Sequence, residues 1–309
     1  MENKEQLLFI HPNTLQVVRK EFGFDKIEVL EQAIDFIASW VLQQKHFVKK
    51  DFSRDYLEKT QITCKGSIDK CKLRLDKTCT IKNLLPQYFE TLDAREDISP
   101  YDNLFHCAFL PTLTDKHERV VILRNMNYCG PTGFFELYRY FVKMVEYLKV
   151  ADNNTGLVVI LDYLNLDAKN LLPKLNLVEM RQLLTIIMDS YGLRVKKFFI
   201  LASSKFAVAV KILKSVLSSK LTSRLEVWNN YKPIHKYISK DILPEDYEGD
   251  LKSIDDLHDD LLRALASDSF TKHLKEMQKA TTNEALRDSN TFNQAYLGTP
   301  GSIKNISFD

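Results

Sequence analysis

Apolar residues recur at helical spacing through residues 1 to about 95, with few glycines and no alternation of the strand type. Thr14-Leu-Gln-Val-Val-Arg-Lys-Glu-Phe opens a short helix. Asp25 is placed to cap a longer one, Lys26 to about Lys45, with Ile27, Leu30, Ile34, Ile37, Trp40 and Val41 on one side. Phe52 to Lys59 predicts a third. Ser67 caps a fourth, which turns Ile68, Cys71, Leu75 and Cys79 inward, and Leu85-Pro86 begins one more helical turn.

The pattern changes near Asn103. Phe109-Leu-Pro reads as a loop, Glu118 to Arg124 as a short strand, Tyr128-Cys-Gly-Pro as a turn and Phe134 to Leu148 as an amphipathic helix. A turn over residues 152–156 leads into Gly156 to Asp162, a near-continuous apolar run of the kind buried on both faces. Leu175 to Ser190 reads as helix and Val195 to Leu201 as strand. Strands alternating with helices predict an α/β sandwich on a mainly parallel sheet. Beyond Trp228, Leu243-Pro-Glu-Asp-Tyr is a turn and Leu257 to Leu274 one helix. The end, with Gly298, Pro300 and Gly301, is an extended tail.

One stretch stands apart, Tyr191 to Trp228. After the strand, Ala202-Ser203-Ser204 is placed to cap a helix on which Phe206, Val210, Leu213 and Leu217 form one stripe. Val208, Ile212 and Val216 widen the apolar arc beyond the roughly 100° that a one-sided surface helix needs. Residues 194–224 hold eight Lys/Arg and no Asp/Glu. A helix apolar on two sides within a cationic stretch fits a cover over an apolar cavity that also meets an anionic surface. A helix wedged between a sheet and a second helix gives the same pattern.

Composition narrows the function classes. The 309 residues are 45% hydrophobic and 27% charged, ordinary for a globular protein, and a net charge of +2 does not suit a general polyanion binder. The basic stretch is followed by residues 241–260 with nine acids and one lysine, an asymmetry that orients the molecule in a field. The basic block lacks interleaved aromatics that would stack bases, so no nucleic-acid partner is expected. Five cysteines, Cys64, Cys71, Cys79, Cys107 and Cys129, form neither a paired framework nor a CxxC zinc spacing; no metal is expected. The start, MENKEQLLFIHPNTL, lacks the pattern of a secretory leader, and no apolar run reaches 18 residues, which points to a cytoplasmic protein. No nucleophile elbow, zincin helix, P-loop or dinucleotide fingerprint occurs, so neither an enzyme nor a cofactor is expected. His106, His117 and Asp162 are the isolated groups that catalysis could use; Asp162, closing a strand, equally suits a hydrogen-bond acceptor for the next loop.

Several segments in order, GLVVILDYLNL, then MDSYGLRVKKFFILASSKFAVAVKILKSVLSSKLTSRLEVW, then ILPEDYEGD, resemble the CRAL-TRIO (Sec14-like) lipid-binding domain, in particular the insect relatives of the α-tocopherol and retinaldehyde transfer proteins. ITCKGSIDKCKLRLDKTCTIKNLLPQYF resembles the helical module that precedes that domain, and TPGSIKNISFD the closing segment of the insect branch. The resemblance implies a helical module at 1–97, a lipid-binding domain at 98–252 and a C-terminal helix with tail at 253–309. It implies an α/β/α sandwich with an apolar cavity, closed by a gate helix at about Ser204 to Leu217 whose inner residues are Phe206, Val210 and Leu213. The implied walls are Val159, Leu161, Ile186, Ile187, Leu193, Phe199 and Leu201. Polar groups that could orient the guest are Tyr163, Thr185, Asp189, Ser190 and Tyr191. Arg194, Lys196, Lys214, Lys220 and Arg224 match phosphoinositide-contacting bases. The sequence departs from the family pattern at Gly192 and Ser204, where prolines are usual, and at Ile62-Thr-Cys-Lys-Gly66, which lacks an arginine of the module.

The function so implied is monomeric, membrane-assisted carriage of one terpenoid or isoprenoid: a retinoid, carotenoid, tocopherol or juvenile-hormone-like molecule. An interaction scaffold without a ligand is the alternative, and a lipid esterase would need a nucleophile–base pair that the sequence does not display.

Overall fold

The computed structural model describes residues 7–101, 103–126, 133–166 and 168–287. The turn expected at 128–131, Cys129 and the expected C-terminal tail lie outside the described residues.

The N-terminal part is helical: α1 (Thr14–Glu21), α2 (Ile27–Gln43), α3 (Arg54–Thr63), α4 (Ile68–Leu84) and α5 (Ala94–Ile98), with a 3-10 turn at Pro86–Tyr88. Ser67 Oγ accepts from Lys70 N as the capping pattern predicts, and Ser53 does the same for α3 through Tyr56 N. Asp25 does not cap α2; Lys26 stands at that position, without a side-chain bond. Leu30, Ile34, Ile37 and Val41 of α2 pack with Leu57, Cys71, Leu75 and Cys79 into a core of their own.

A five-stranded sheet follows: β1 (Phe105–Phe109), β2 (Glu118–Asn125), β3 (Gly156–Tyr163), β4 (Val195–Ala202) and β5 (Leu225–Trp228). The strands lie in sequence order, with β1 antiparallel to β2 and the rest parallel. The long crossovers that parallel pairs require hold α6 (Phe135–Ala151), then α7 (Ala168–Leu171) and α8 (Leu177–Thr185), then α9 (Ala207–Val216) and α10 (Ser219–Thr222). Beyond β5 come α11 (Ile254–Leu265) and α12 (Asp268–Gln278).

Four readings of the sequence are corrected. Phe105–Phe109 is a strand running up to the expected loop; all five residues are buried, so it shows no alternation. Leu225–Trp228 is a strand as well, where Trp228 stacks on Phe199 with ring centroids 4.4 Å apart. The helix expected at 257–274 is two helices, because Ser267 Oγ accepts from Phe270 N and starts α12 afresh. Ser203 precedes the helical segment over 204–216 but makes no side-chain cap bond; a 3-10 turn at Ser204–Phe206 leads into α9 instead.

Alternation along the strands sends residues to two cores. Val120, Ile122, Val158 and Ile160 pack with Ile234, Ile238, Leu243 and Tyr247 on one face. Val121, Leu157 and Leu161 face the crossover helices on the other. Helix α11 packs along β1, and so covers that edge of the sheet. The chain then returns to the N-terminal helices, where Arg287 holds Asp76 through two bonds of 2.7 and 2.8 Å.

Candidate functional site

An apolar cavity of about 240 Å³ lies between the sheet and the crossover helices. Its floor is Phe105 and Phe109 of β1, Val121 and Leu123 of β2, Leu157, Val159, Leu161 and Tyr163 of β3, and Val195 and Phe198 of β4. On one side α6 presents Leu137, Tyr138, Phe141, Met144, Val145 and Leu148, spaced three and four apart. That stripe was visible in the sequence as the amphipathic helix. Met180, Leu183 and Leu184 of α8 continue the wall, and the chain then widens into a π-type turn, Ile186–Ser190, which brings Ile187 and Met188 round to the cavity. Leu213 and Leu217, at the end of the proposed gate, and Leu221 close it.

Of the thirteen ligand residues expected from the sequence, Val159, Leu161, Tyr163, Ile187, Leu193 and Leu213 lie on this wall. Ile186 and Val210 are buried in the same core without reaching it. Phe206 is also buried behind the wall, its ring stacked on Tyr163 at 5.0 Å. Phe199 and Leu201 point through the opposite face of the sheet, into the core with Ile160. The reason is a bulge. Leu157 pairs with Val195 and Val158 with Lys197, so Lys196 is skipped and the phase of β4 flips. Val195 faces the cavity, and beyond the bulge it is Phe198, not Phe199, that does so.

The five polar candidates also separate. Thr185 Oγ1 donates to Arg181 O at 2.9 Å, Asp189 faces Lys77 at 4.0 Å, and Ser190 is buried off the wall. Tyr191 donates to Glu146. Tyr163 alone of the five is on the wall, and its hydroxyl has no hydrogen-bond partner among the described residues. Apart from Tyr138 and Tyr163, every described wall residue is aliphatic, aromatic or a methionine.

The isolated groups considered for catalysis serve the structure. Asp162 accepts from Leu164 N at 3.0 Å and Tyr247 Oη at 2.9 Å, His106 Nδ1 lies 2.6 Å from Asp255, and His117 Nδ1 is 3.1 Å from Thr14 Oγ1.

Of the five expected membrane-facing bases, Arg194 and Lys196 share Glu21 Oε1, at 3.9 and 2.9 Å, whereas Lys214 stands exposed on α9. Arg194, Lys220 and Arg224 also converge with Lys65 and Lys70, and the neighbouring cations Arg194 and Lys220 hold the Lys65 ammonium below its usual pKa. Lys65 has a left-handed backbone (φ 54°) and comes from the stretch that departs from the family pattern, so the turn between α3 and α4 does supply cations to this cluster. At Gly192 (φ 69°) the Arg74 guanidinium occupies the space a Cβ would need, which explains glycine at the position where proline is usual.

A buried network braces the back of the cavity. Glu146 of α6 accepts from His273 Nε2 at 2.7 Å and from Tyr191 Oη, near the Lys82 ammonium. Burial alone would raise its pKa, but the Lys82 charge and the two hydrogen bonds hold it at about 2, against an ordinary 4.5. The folded pKa lies below the unfolded one, so the carboxylate stabilises the fold fully above pH 4.5, and that stabilisation disappears as pH falls toward 2. Glu146→Gln is expected to lose about 2–3 kcal/mol at pH 7 and to show a shallower loss between about pH 5 and pH 2. Urea titrations across that range check this; parallel curves for the two proteins would contradict it.

The CRAL/TRIO domain family matches residues 106–249. No curated protein matches the chain. Among solved structures, the crystal structure of Sfh5 is similar at 10% identity, over 81% of this chain and 92% of that one, with a TM-score of 0.40. No helix among the described residues is long and apolar enough to cross a membrane. The matched span runs from within β1 through β5 and contains most of the cavity wall; over these residues the chain matches the CRAL/TRIO domain family, a match that supports lipid binding or transfer in general.

Proposed function

We propose that this protein carries one hydrophobic small molecule of the terpenoid class in the cavity and exchanges it at anionic membranes by displacement of residues 204–217. The observation that carries the reading is the hollow of about 240 Å³ with its nearly uniform apolar wall. An unfilled cavity costs roughly 24 cal/mol per Å³, so an occupant recovers on the order of 5 kcal/mol. The volume is at the small end for ligand sites, typically about 300–1,000 Å³, which favours a sesquiterpenoid or retinoid over a carotenoid. Tyr163 offers the guest one hydrogen bond. Leaving that hydroxyl unpaired would cost about 1–3 kcal/mol, enough to select a ligand with an acceptor or hydroxyl at that point. The described wall has no serine, cysteine, histidine or carboxylate, which supports carriage over turnover. The open cavity supports a carrier over a scaffold that uses the fold without a guest. The protein acts as a cytoplasmic monomer on this reading.

The exchange surface combines grease and charge. Val208 on α9 and Val178 on α8 are 58% and 64% exposed, and the two helices pack together. Isolated exposed valines are unremarkable singly, but these two border the proposed gate. Each Lys/Arg near an anionic leaflet contributes about 1 kcal/mol. The double variant Lys65→Glu/Lys220→Glu is expected to slow transfer of a fluorescent retinoid to phosphatidylserine-containing vesicles at least tenfold, with solution affinity unchanged. Equal transfer rates, or an equal loss of binding in solution, would remove the membrane step.

A further inference from the structure

A second, smaller chamber of about 60 Å³, with both apolar and polar side chains on its wall, adjoins the cavity between α1, α3, the end of α6 and the start of β3. Leu148, Leu157 and Leu193 line both spaces, so three side chains form the partition. The chamber is rich in donors. Lys149 is 8% exposed; its ammonium donates to Thr60 Oγ1 at 2.9 Å and lies 5.1 Å from the centre of the Tyr56 ring. No carboxylate among the described residues is within ion-pair reach of it. Asp152, the carboxylate on the chamber wall, is already held by Arg119 at 2.7 and 2.8 Å. Arg194 also borders the chamber, and its Nη1 is buried without a partner.

A buried ammonium without an ion-paired carboxylate, helped only by the Cys64 and Cys71 thiols and the field of Glu146, is costly unless something completes it. We propose that this chamber takes the carboxylate end of an amphiphilic ligand, with Lys149 as its ion-pair partner and the hydrocarbon body passing between the three leucines into the apolar cavity. The site has room for such a group: 60 Å³ is about two water volumes. This rests on the carrier reading and narrows it to acids, or to molecules with an acidic end. Leu157 and Tyr163 are the two ends of the cavity-facing row on β3, about 20 Å apart at strand rise. A long ligand could therefore place its acid at Lys149 and a hydroxyl or carbonyl at Tyr163. Burial, followed by the charge of Arg74, lowers the unliganded Lys149 pKa to about 7; Cys64, Cys71 and Glu146 act in the opposite sense. A bound carboxylate would restore the charged form.

The test is titration of the full chain with retinoic acid and with its methyl ester, followed by quenching of tryptophan fluorescence at pH 6.5, for the wild type and Lys149→Met. Removing a buried, unpaired charge leaves the fold intact or more stable, so lost binding in Lys149→Met would not reflect unfolding; thermal melts of the unliganded proteins confirm it. The expected result is a preference of at least tenfold for the acid in the wild type. In Lys149→Met that preference disappears while ester affinity stays the same. Equal affinity for acid and ester, or an acid preference that survives Lys149→Met, would overturn the assignment and leave the carrier reading standing on the bound ester. Failure of both probes to bind would overturn the carrier reading as well.

Discussion

Val159→Trp is expected to weaken binding of the hydrophobic guest at least 100-fold and to leave the unfolding free energy within about 1 kcal/mol of the wild type. Val159 lies in the middle of β3, beside Val121 and Phe198, and faces the hollow. Along β3 only Val159 and Tyr163 retain partial exposure, because both border empty space and not packed side chains. Inserting bulk into a close-packed core usually costs about 1–3 kcal/mol, through off-rotamer side chains and shifted backbone. Here the indole enters a void, and tryptophan suits a strand. The same volume is denied to the ligand. Equilibrium titration with a fluorescent retinoid, run beside urea unfolding, separates the two effects. Unchanged affinity at unchanged stability would mean that the guest binds elsewhere.

Asp152→Ala is expected to destabilise the protein by about 3–5 kcal/mol, a large share of the 5–15 kcal/mol that domains of this kind possess. The Arg119 and Asp152 side chains are both 0% exposed. Arg119 also donates to the carbonyls of Leu110 and Pro111 at 2.7 and 2.6 Å. The pair thus ties β2 to the β1–β2 connection and to the turn that enters β3. Removing the carboxylate strands a guanidinium in the interior. The double replacement Arg119→Met/Asp152→Leu should cost far less, since no charge is left behind. Urea midpoints for the single and double variants decide it; a single variant within 1 kcal/mol of the wild type would show that the pair is not a structural anchor.

The helical N-terminus, the central strands and the cavity-facing helix were legible, because their apolar residues recur at a clear period. Ser67 marked its helix start by chemistry that is local to the chain. What was not legible depended on partners. The run Phe198 to Leu201 is apolar throughout, so its phase is invisible until Val158 pairs with Lys197 past the bulge. Phe105–Phe109 and Leu225–Trp228 are too short, and the first too uniformly buried, to announce themselves. Ser267 did carry a readable cap signal that splits the C-terminal helix. At the site, the resemblance pointed to β3 and to the end of the gate, whereas most of the wall comes from α6 and α8, whose stripes were seen but not assigned to a hollow. Tyr163 could be told from Thr185, Ser190 and Tyr191 only once its place on the cavity wall was in view, since Ser190 Oγ also lacks a partner. Lys65 joined the cationic cluster through a left-handed turn that no spacing rule foretells.

Organic extraction of the protein purified from its native tissue, followed by mass spectrometry and set against Val159→Trp recovered in the same way, tests the carrier account most directly. The account predicts one terpenoid, near one equivalent per wild-type chain and absent from the variant. Extracts of the wild type with no stoichiometric hydrophobic compound, or the same compound at the same yield from both proteins, would contradict it.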